Sequence, residues 1–176
     1  PKKIILASSC SIYGNDNKFK DEKTFLKPDT PYSLSKFAQE NILRVFCKEN
    51  NIKFLCYRLG YVIGAKINNK RLVKKILIKL RKNKNIKLYN KNLNLNLIHT
   101  RDIGERIIKS YKSAEGIYNL TNKKKTSLIN FYFALINKNK IYNWENNNYS
   151  PKKFFKRFPM IKQINFASSI KYFKNE

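Results

Sequence analysis

Along this chain, short apolar runs alternate with longer segments of helical period. Lys3 to Ala7 is brief, apolar and followed by Ser8-Ser9, which suits a buried parallel strand better than a helix. From Thr30 the period changes: Leu34, Ala38, Ile42 and Val45 recur at helical spacing, with Thr30 as N-cap and Pro31 at the first helical position. Leu34 falls nearly opposite Tyr32 on the helical wheel, so the apolar stripe is expected to pack while Tyr32 and Lys36 face a cleft. Lys53 to Tyr57 reads as the next strand, and Leu72 to Leu80 as a helix with Leu72, Ile76 and Leu80 on one side. Leu95 to Thr100 is a short strand candidate, Ile103 to Tyr111 a helix, Gly116 to Leu120 a strand and Ser127 to Ile136 a helix. Strands alternating with helices predict an α/β fold with a parallel sheet and crossover connections. The stretch from about Asn137 is basic and aromatic, and its pattern assigns no topology.

At 176 residues the chain has one domain's worth of material. Its charge is extreme, with 38 Lys and Arg against 11 Asp and Glu and a formal net charge of +27. Such a field could attract nucleic acid or an anionic membrane surface. Yet Lys, Asn and Ile are inflated together over the whole length, as in a coding sequence drifting toward A and T. The Lys residues also gather in no single arm, so nucleic-acid binding is not the expected role. Cys10, Cys47 and Cys56 form no C-x-x-C pair and no metal-ligand spacing, which predicts neither a disulfide framework nor a zinc site and points to a reducing cytoplasm. No run reaches the ~18 apolar residues of a membrane span. A soluble cytoplasmic protein is expected.

The chemistry-bearing pattern is Tyr32-Ser33-Leu34-Ser35-Lys36, a short loop downstream of Ser8-Ser9-Cys10-Ser11-Ile12-Tyr13-Gly14. A Tyr and a Lys four apart share one helix face, where an ammonium favours the ionised form of the phenol and makes a general base from a weak acid. In so Lys-rich a chain the spacing alone says little, and Tyr149 with Lys153 repeats it. The second copy carries Pro151 between its two residues, which argues against a helix interior, and it lacks a Ser-rich strand end before it. Tyr149 is therefore expected to be a bystander.

The full series is Ile4-Ile5-Leu6, Ser8-Ser9, Tyr13-Gly14, Glu22, Pro28, Thr30-Pro31-Tyr32, Lys36, Glu40 and Arg58-Leu59-Gly60-Tyr61-Val62-Ile63-Gly64. It resembles the extended short-chain dehydrogenase/reductase family, the NAD-dependent nucleotide-sugar epimerases and dehydratases, from Lys2 to about Leu120 with a fainter echo to about Ile136. The resemblance implies a Rossmann-like parallel sheet with flanking helices, present in part, plus a small C-terminal substrate-binding α/β portion. Residues 1–64 would carry the catalytic part, and residues 65–176 a mixed substrate-binding region with some segments returning to the sheet.

By the same resemblance Tyr32 is the acid/base and Lys36 the holder of the nicotinamide ribose. Ser9, four residues before the Tyr-Gly pair, hydrogen-bonds the reacting oxygen, with Ser8 and Ser11 as alternatives in the same loop. Ser8, Leu59, Tyr61 and Val62 would approach the cofactor, NAD or NADP. Tyr61 stands where the family has Asn, which puts that substrate contact in doubt. Glu22 reads equally as a functional or a solvated carboxylate. Leu97-Ile98-His99-Thr100-Arg101-Asp102-Ile103 resembles the family's Ile-His-Val-x-Asp segment, so His99 and Asp102 are expected to be structural. The family Arg that grips a substrate diphosphate is here Leu95; either Arg71 or Arg101 takes its place, or the substrate is another compound.

The implied function is modification of a nucleotide sugar, a small-molecule substrate, on the route to surface polysaccharide precursors, with a homodimer as a candidate assembly. A reductase of non-nucleotide carbonyl compounds would accommodate Leu95, and a non-catalytic basic binding module would accommodate the charge. The five glycines make no Gly-rich pyrophosphate turn. The resemblance therefore casts the chain as the C-terminal part of a longer enzyme, inactive alone and short of about three β-α units.

Overall fold

The computed structural model describes residues 1–14, 16, 18–64, 72–82, 86–89, 91, 93–136, 145–146 and 148–161. The chain enters on β1 (Lys3–Ser9), makes a 3-10 turn at Cys10–Tyr13, and crosses through α1 (Pro31–Glu49) to β2 (Lys53–Leu59). There follow β3 (Tyr61–Ile63), α2 (Leu72–Arg81), β4 (Asn94–Leu95), β5 (Leu97–His99), α3 (Thr100–Ser110) and β6 (Gly116–Leu120). The remainder comprises β7 (Lys124–Ser127), α4 (Leu128–Ile136), β8 (Glu145–Asn146) and α5 (Lys152–Arg157).

The main sheet has the order β1-β2-β6, all parallel, with Lys3 opposite Lys53, Ser9 opposite Leu59, and Leu59 opposite Leu120. β3 pairs parallel with β5, and β4-β7-β8 form an antiparallel unit. One core cluster lies on the sheet and gathers Leu55, Tyr57, Ile98, Tyr118, Leu120 and Phe154. A second packs Ile63, Val73, Ile76, Leu77, Leu95, Leu97, Leu128 and Phe131 between α2, α4 and the small strands. No helix among the described residues is long and apolar enough to cross a membrane.

β1 and β2 each extend two residues past their expected ends, because the parallel ladder continues until Ser9 meets Leu59. β6 spans Gly116–Leu120 as the pattern predicts, whereas β7 is added by pairing with β4 rather than by any pattern of its own. In α2 the buried side shifts by one residue to Val73, Ile76 and Leu77, leaving Leu72 at the surface.

Helix α1 departs from expectation more sharply. Thr30 caps it as predicted: its Oγ accepts from Ser33 N–H at 3.1 Å, and Ser33 Oγ accepts from Thr30 N–H at 2.9 Å. The expected apolar stripe, however, is outside, with Leu34 52%, Ile42 66% and Val45 48% exposed and Ala38 exposed beside them. The face turned to the sheet is Ser33, Glu40 and Cys47. Its orientation follows from a buried ion pair, since Glu40 accepts from Arg58 Nε at 3.1 Å and from Nη2 at 2.8 Å, and both residues are almost fully buried. A buried charge without its partner is far costlier than an exposed Leu, so Glu40 decides which side of α1 faces inward.

Burial on this helix thus inverts the ranking that hydrophobicity alone would give. Glu40→Ala, which strands Arg58, should cost about 3–5 kcal/mol, whereas Ile42→Ala on the exposed stripe should stay within about 0.5 kcal/mol. Urea denaturation of the two variants, followed by circular dichroism, checks the order.

Candidate functional site

Because β1 and β2 end level, the turn after Ser9 and the link at Gly60 leave the sheet side by side at the carboxyl ends of parallel strands, where open α/β folds place their ligands. A cavity of about 500 Å³ opens there. Ala7, Ser8, Ser9, Cys10 and Ser11 line it from β1 and its turn, Tyr32 and Lys36 from the first turns of α1, and Leu59, Gly60, Tyr61 and Val62 from the β2–β3 link. Asn94, Asn96 and Tyr149 complete the wall.

Ser9 Oγ accepts two bonds, from Ser11 N–H at 3.2 Å and from Ser11 O–H at 3.0 Å. Both are received, so its own O–H remains a donor for whatever enters the cavity it lines. Lys36 Nζ donates to the Ala7 carbonyl at 3.1 Å and to Gln39 Oε1 at 3.3 Å, which stretches it across the mouth of β1. Tyr32 sits at the second residue of the capped helix, 53% exposed.

Beneath the cavity lies a buried polar chain. Arg58 Nη1 donates to Tyr13 Oη at 2.8 Å, Tyr13 donates to Asn119 Oδ1 at 2.8 Å, and Asn119 N–H donates to Glu22 at 2.7 Å. Cys10 Sγ rests on the Arg58 carbonyl at 3.3 Å. Burial alone would lower the Arg58 pKa, but the hydrogen bonds of Glu40 and the presence of Tyr13 raise it instead, keeping the guanidinium charged. Burial pushes the Tyr13 phenol and the Cys10 and Cys56 thiols well above their usual values, so all three stay protonated. Gly14 closes the turn at φ +80, and a Cβ there would meet the Lys27 carbonyl at 2.6 Å. Tyr13-Gly14, Glu22, Glu40, Arg58 and Asn119 are therefore framework holding the Ser9 turn.

The remaining candidates fall apart from this cluster. Arg71 lies outside the described residues. Arg101 is exposed on the first turn of α3 and does not line the cavity; its backbone N–H donates to His99 Nδ1 at 3.1 Å, which caps the helix. Asp102 is buried against Arg106, whose guanidinium also donates to the Thr121 carbonyl at 2.8 Å, so this segment is structural. Leu95 points into the core at 1% exposure. Asn94 and Asn96 are site residues that the motif reading misses. The alternation Asn94-Leu95-Asn96-Leu97, which turns both leucines inward and leaves both asparagines in the cavity lining, is the sequence signal that could have found them.

Tyr149, expected to be a bystander, instead belongs to the cavity wall. No helix relates it to Lys153: α5 begins after it, and Lys153 Nζ donates to the Ile117 carbonyl at 2.6 Å. Tyr149 instead forms a bridge with Lys20 and stacks on Tyr13 with ring centroids 5.8 Å apart. Burial raises its phenol to about 12, so at neutral pH it is a donor and not a base.

Parallel strands, a crossover helix and a Ser, Tyr and Lys around a cavity at their carboxyl ends define a Rossmann-type α/β protein with a short-chain dehydrogenase constellation. The family model for the NAD dependent epimerase/dehydratase family matches residues 1–121, and the chain belongs to that family. A curated relative, UDP-glucose 4-epimerase of Mycoplasma genitalium, is 36% identical over 69 residues, covering 37% of this chain and 20% of its own. Among solved structures, UDP-glucuronic acid 4-epimerase from Bacillus cereus, in complex with UDP-glucuronic acid and NAD, superposes with a TM-score of 0.82 at 14% identity, over 98% of this chain and 60% of that one. The UDP-glucose 4-epimerase of Thermus thermophilus, in complex with NAD, gives 0.80 at 18% identity, over 99% and 63%. These structural likenesses establish the fold, and the chain spans only part of each relative's length.

The cavity wall depends on a close approach at Gly60. Its missing Cβ would lie 2.5 Å from the Asn96 carbonyl, which also accepts from Tyr61 N–H at 2.8 Å. Gly60→Ala should push these strands apart and destabilise the fold by about 1–3 kcal/mol, a loss readable as a lowered thermal midpoint.

Proposed function

We propose that this chain carries the catalytic and sugar-facing part of an NAD(P)-dependent nucleotide-sugar epimerase or dehydratase. The observation that supports it is the convergence of Ser9, Tyr32 and Lys36 on one cavity at the carboxyl ends of β1 and β2. Residues 1–64 supply the cofactor side, while Asn94, Asn96 and Tyr149 from residues 65–176 supply the sugar side.

The donor set fits the nicotinamide-ribose half of NAD or NADP. An ammonium suits ribose hydroxyls, and the backbone and uncharged side chains at Ser8, Leu59, Tyr61 and Val62 suit the flat nicotinamide ring and its neutral carboxamide. When bound, the cofactor supplies a reversible hydride acceptor. Tyr32 takes the proton of a sugar hydroxyl as that carbon is oxidised and returns it when the ketone is reduced. Ser9, its oxygen already accepting from Ser11, donates its O–H to the same substrate oxygen and stabilises the charge that develops there. Lys36 keeps the ribose beside the phenol. The residues would serve either half-reaction, since each moves a proton to and fro between the same two atoms.

In the full-length protein with NAD and UDP-glucose, Tyr32→Phe should lower kcat by about 10²–10⁴-fold while cofactor affinity is unchanged. Tyr149→Phe should keep most of the turnover, because a phenol held protonated is no base. Near-normal turnover by Tyr32→Phe overturns the assignment of the base. Turnover of small ketones but of no nucleotide sugar replaces the epimerase reading with a carbonyl reductase.

A further inference from the structure

We infer that Ser11 is a positioning residue for the reaction: its hydroxyl and backbone N–H fill the acceptor side of Ser9, so that Ser9 meets the substrate oxygen only as a donor and the substrate proton is left to Tyr32. The inference rests on the reading of Ser9 and Tyr32 given above and adds to it the group that sets the direction of Ser9.

Three observations carry it. First, a hydroxyl has one O–H and two acceptor lone pairs, and both lone pairs of Ser9 Oγ are taken by a single neighbour, through the Ser11 N–H at 3.2 Å and the Ser11 O–H at 3.0 Å. Capping the 3-10 turn needs only the first of these bonds. The second lies outside that requirement, and Ser9 Oγ is the one hydrogen-bond partner of the Ser11 hydroxyl among the described residues. Second, the place of Ser11 is fixed from elsewhere. Its carbonyl accepts from Gly14 N–H at 3.1 Å, Gly14 lies against the Lys27 carbonyl, and the preceding Cys10 rests on the Arg58 carbonyl. The Ser11 hydroxyl thus acts from a turn held on both sides. Third, Ser9 and Ser11 both line the cavity that Tyr32 and Lys36 also line.

The chemical consequence concerns one proton. A substrate hydroxyl carries a single hydrogen, and an acceptor at Ser9 would compete with Tyr32 for it. With the acceptor side of Ser9 filled, that hydrogen goes to the Tyr32 oxygen, while the Ser9 O–H serves the substrate oxygen as it gains negative charge and becomes a ketone. A bond received by Ser9 also polarises its own O–H and strengthens the bond it gives. Both effects are greater in the transition state than in the bound substrate, so they are expressed in kcat rather than in affinity.

Steady-state kinetics of the full-length protein with NAD and UDP-glucose, with calorimetric titration of UDP-glucose beside them, test this. Ser11→Ala keeps the backbone N–H and so the cap; it should lower kcat about 3–10-fold, the scale of one hydrogen bond, with UDP-glucose affinity and the thermal midpoint unchanged. Ser11→Thr returns the hydroxyl and should recover the loss. Ser9→Ala should lower kcat about 10²–10³-fold, and adding Ser11→Ala to it should lower kcat no further, because the group that Ser11 directs is gone. A kcat of Ser11→Ala equal to or above that of the unaltered protein overturns the inference alone. So does a loss that Ser11→Thr does not recover, that falls on affinity instead, or that multiplies with the loss of Ser9→Ala. Near-normal turnover by Ser9→Ala overturns the underlying reading of Ser9 together with the inference.

Discussion

Glu40 and Arg58 meet where helix α1 crosses β2, and nearly everything of consequence is anchored to that contact. Two charges out of water must be paired closely or they undo the fold, so the pair sets both the rotation of α1 and its distance from the sheet. Tyr32 and Lys36 reach the cavity because Glu40, two turns beyond the first and one beyond the second, has turned the helix to put them there. The same guanidinium grips Tyr13, and through Tyr13 the turn that presents Ser9. One buried cation thus positions the proposed base, the proposed ribose holder and the proposed hydroxyl donor relative to one another.

The cost of this arrangement appears on the outside of α1. Leu34, Ile42 and Val45 are displaced to the surface, since a helix has one inward face and here polar groups have claimed it. Burial in this protein follows the need to satisfy charge before it follows hydrophobicity. Arg106 repeats the lesson at smaller scale: fully buried, it is held by Asp102, the Thr121 carbonyl and Asn122 and ties α3 to the end of β6.

The cavity joins parts of the chain that obey different rules. Its floor, from β1 and β2, is a parallel ladder whose register leaves Ser9 and Leu59 level. Its far wall is built from strands of two or three residues that exist through pairing with β3 and β7. Gly60 is the joint, the point where the absence of a side chain lets the second part close on the first.

Local pattern was sufficient for what local forces decide. The strand at Lys3, the cap at Thr30 and Pro31, the strand at Gly116–Leu120 and the helices near Leu72 and Ile103 follow from periodicity and capping, and the chain's place in its family follows from ordered motifs such as Tyr32-x-x-x-Lys36. What periodicity could not reveal was which face of α1 turns inward, because Leu34, Ala38, Ile42 and Val45 look like a core stripe until Arg58, on the strand that follows the helix, arrives to claim the other side. Nor could it reveal that Glu22 closes onto Asn119, or that Tyr149 stacks on Tyr13 and joins the cavity, since those contacts join parts of the chain far apart in sequence. Asn94 and Asn96 stand between the two cases: their alternation with Leu95 and Leu97 was written in the chain, but only the packed core on one side and the cavity on the other gave that alternation a direction.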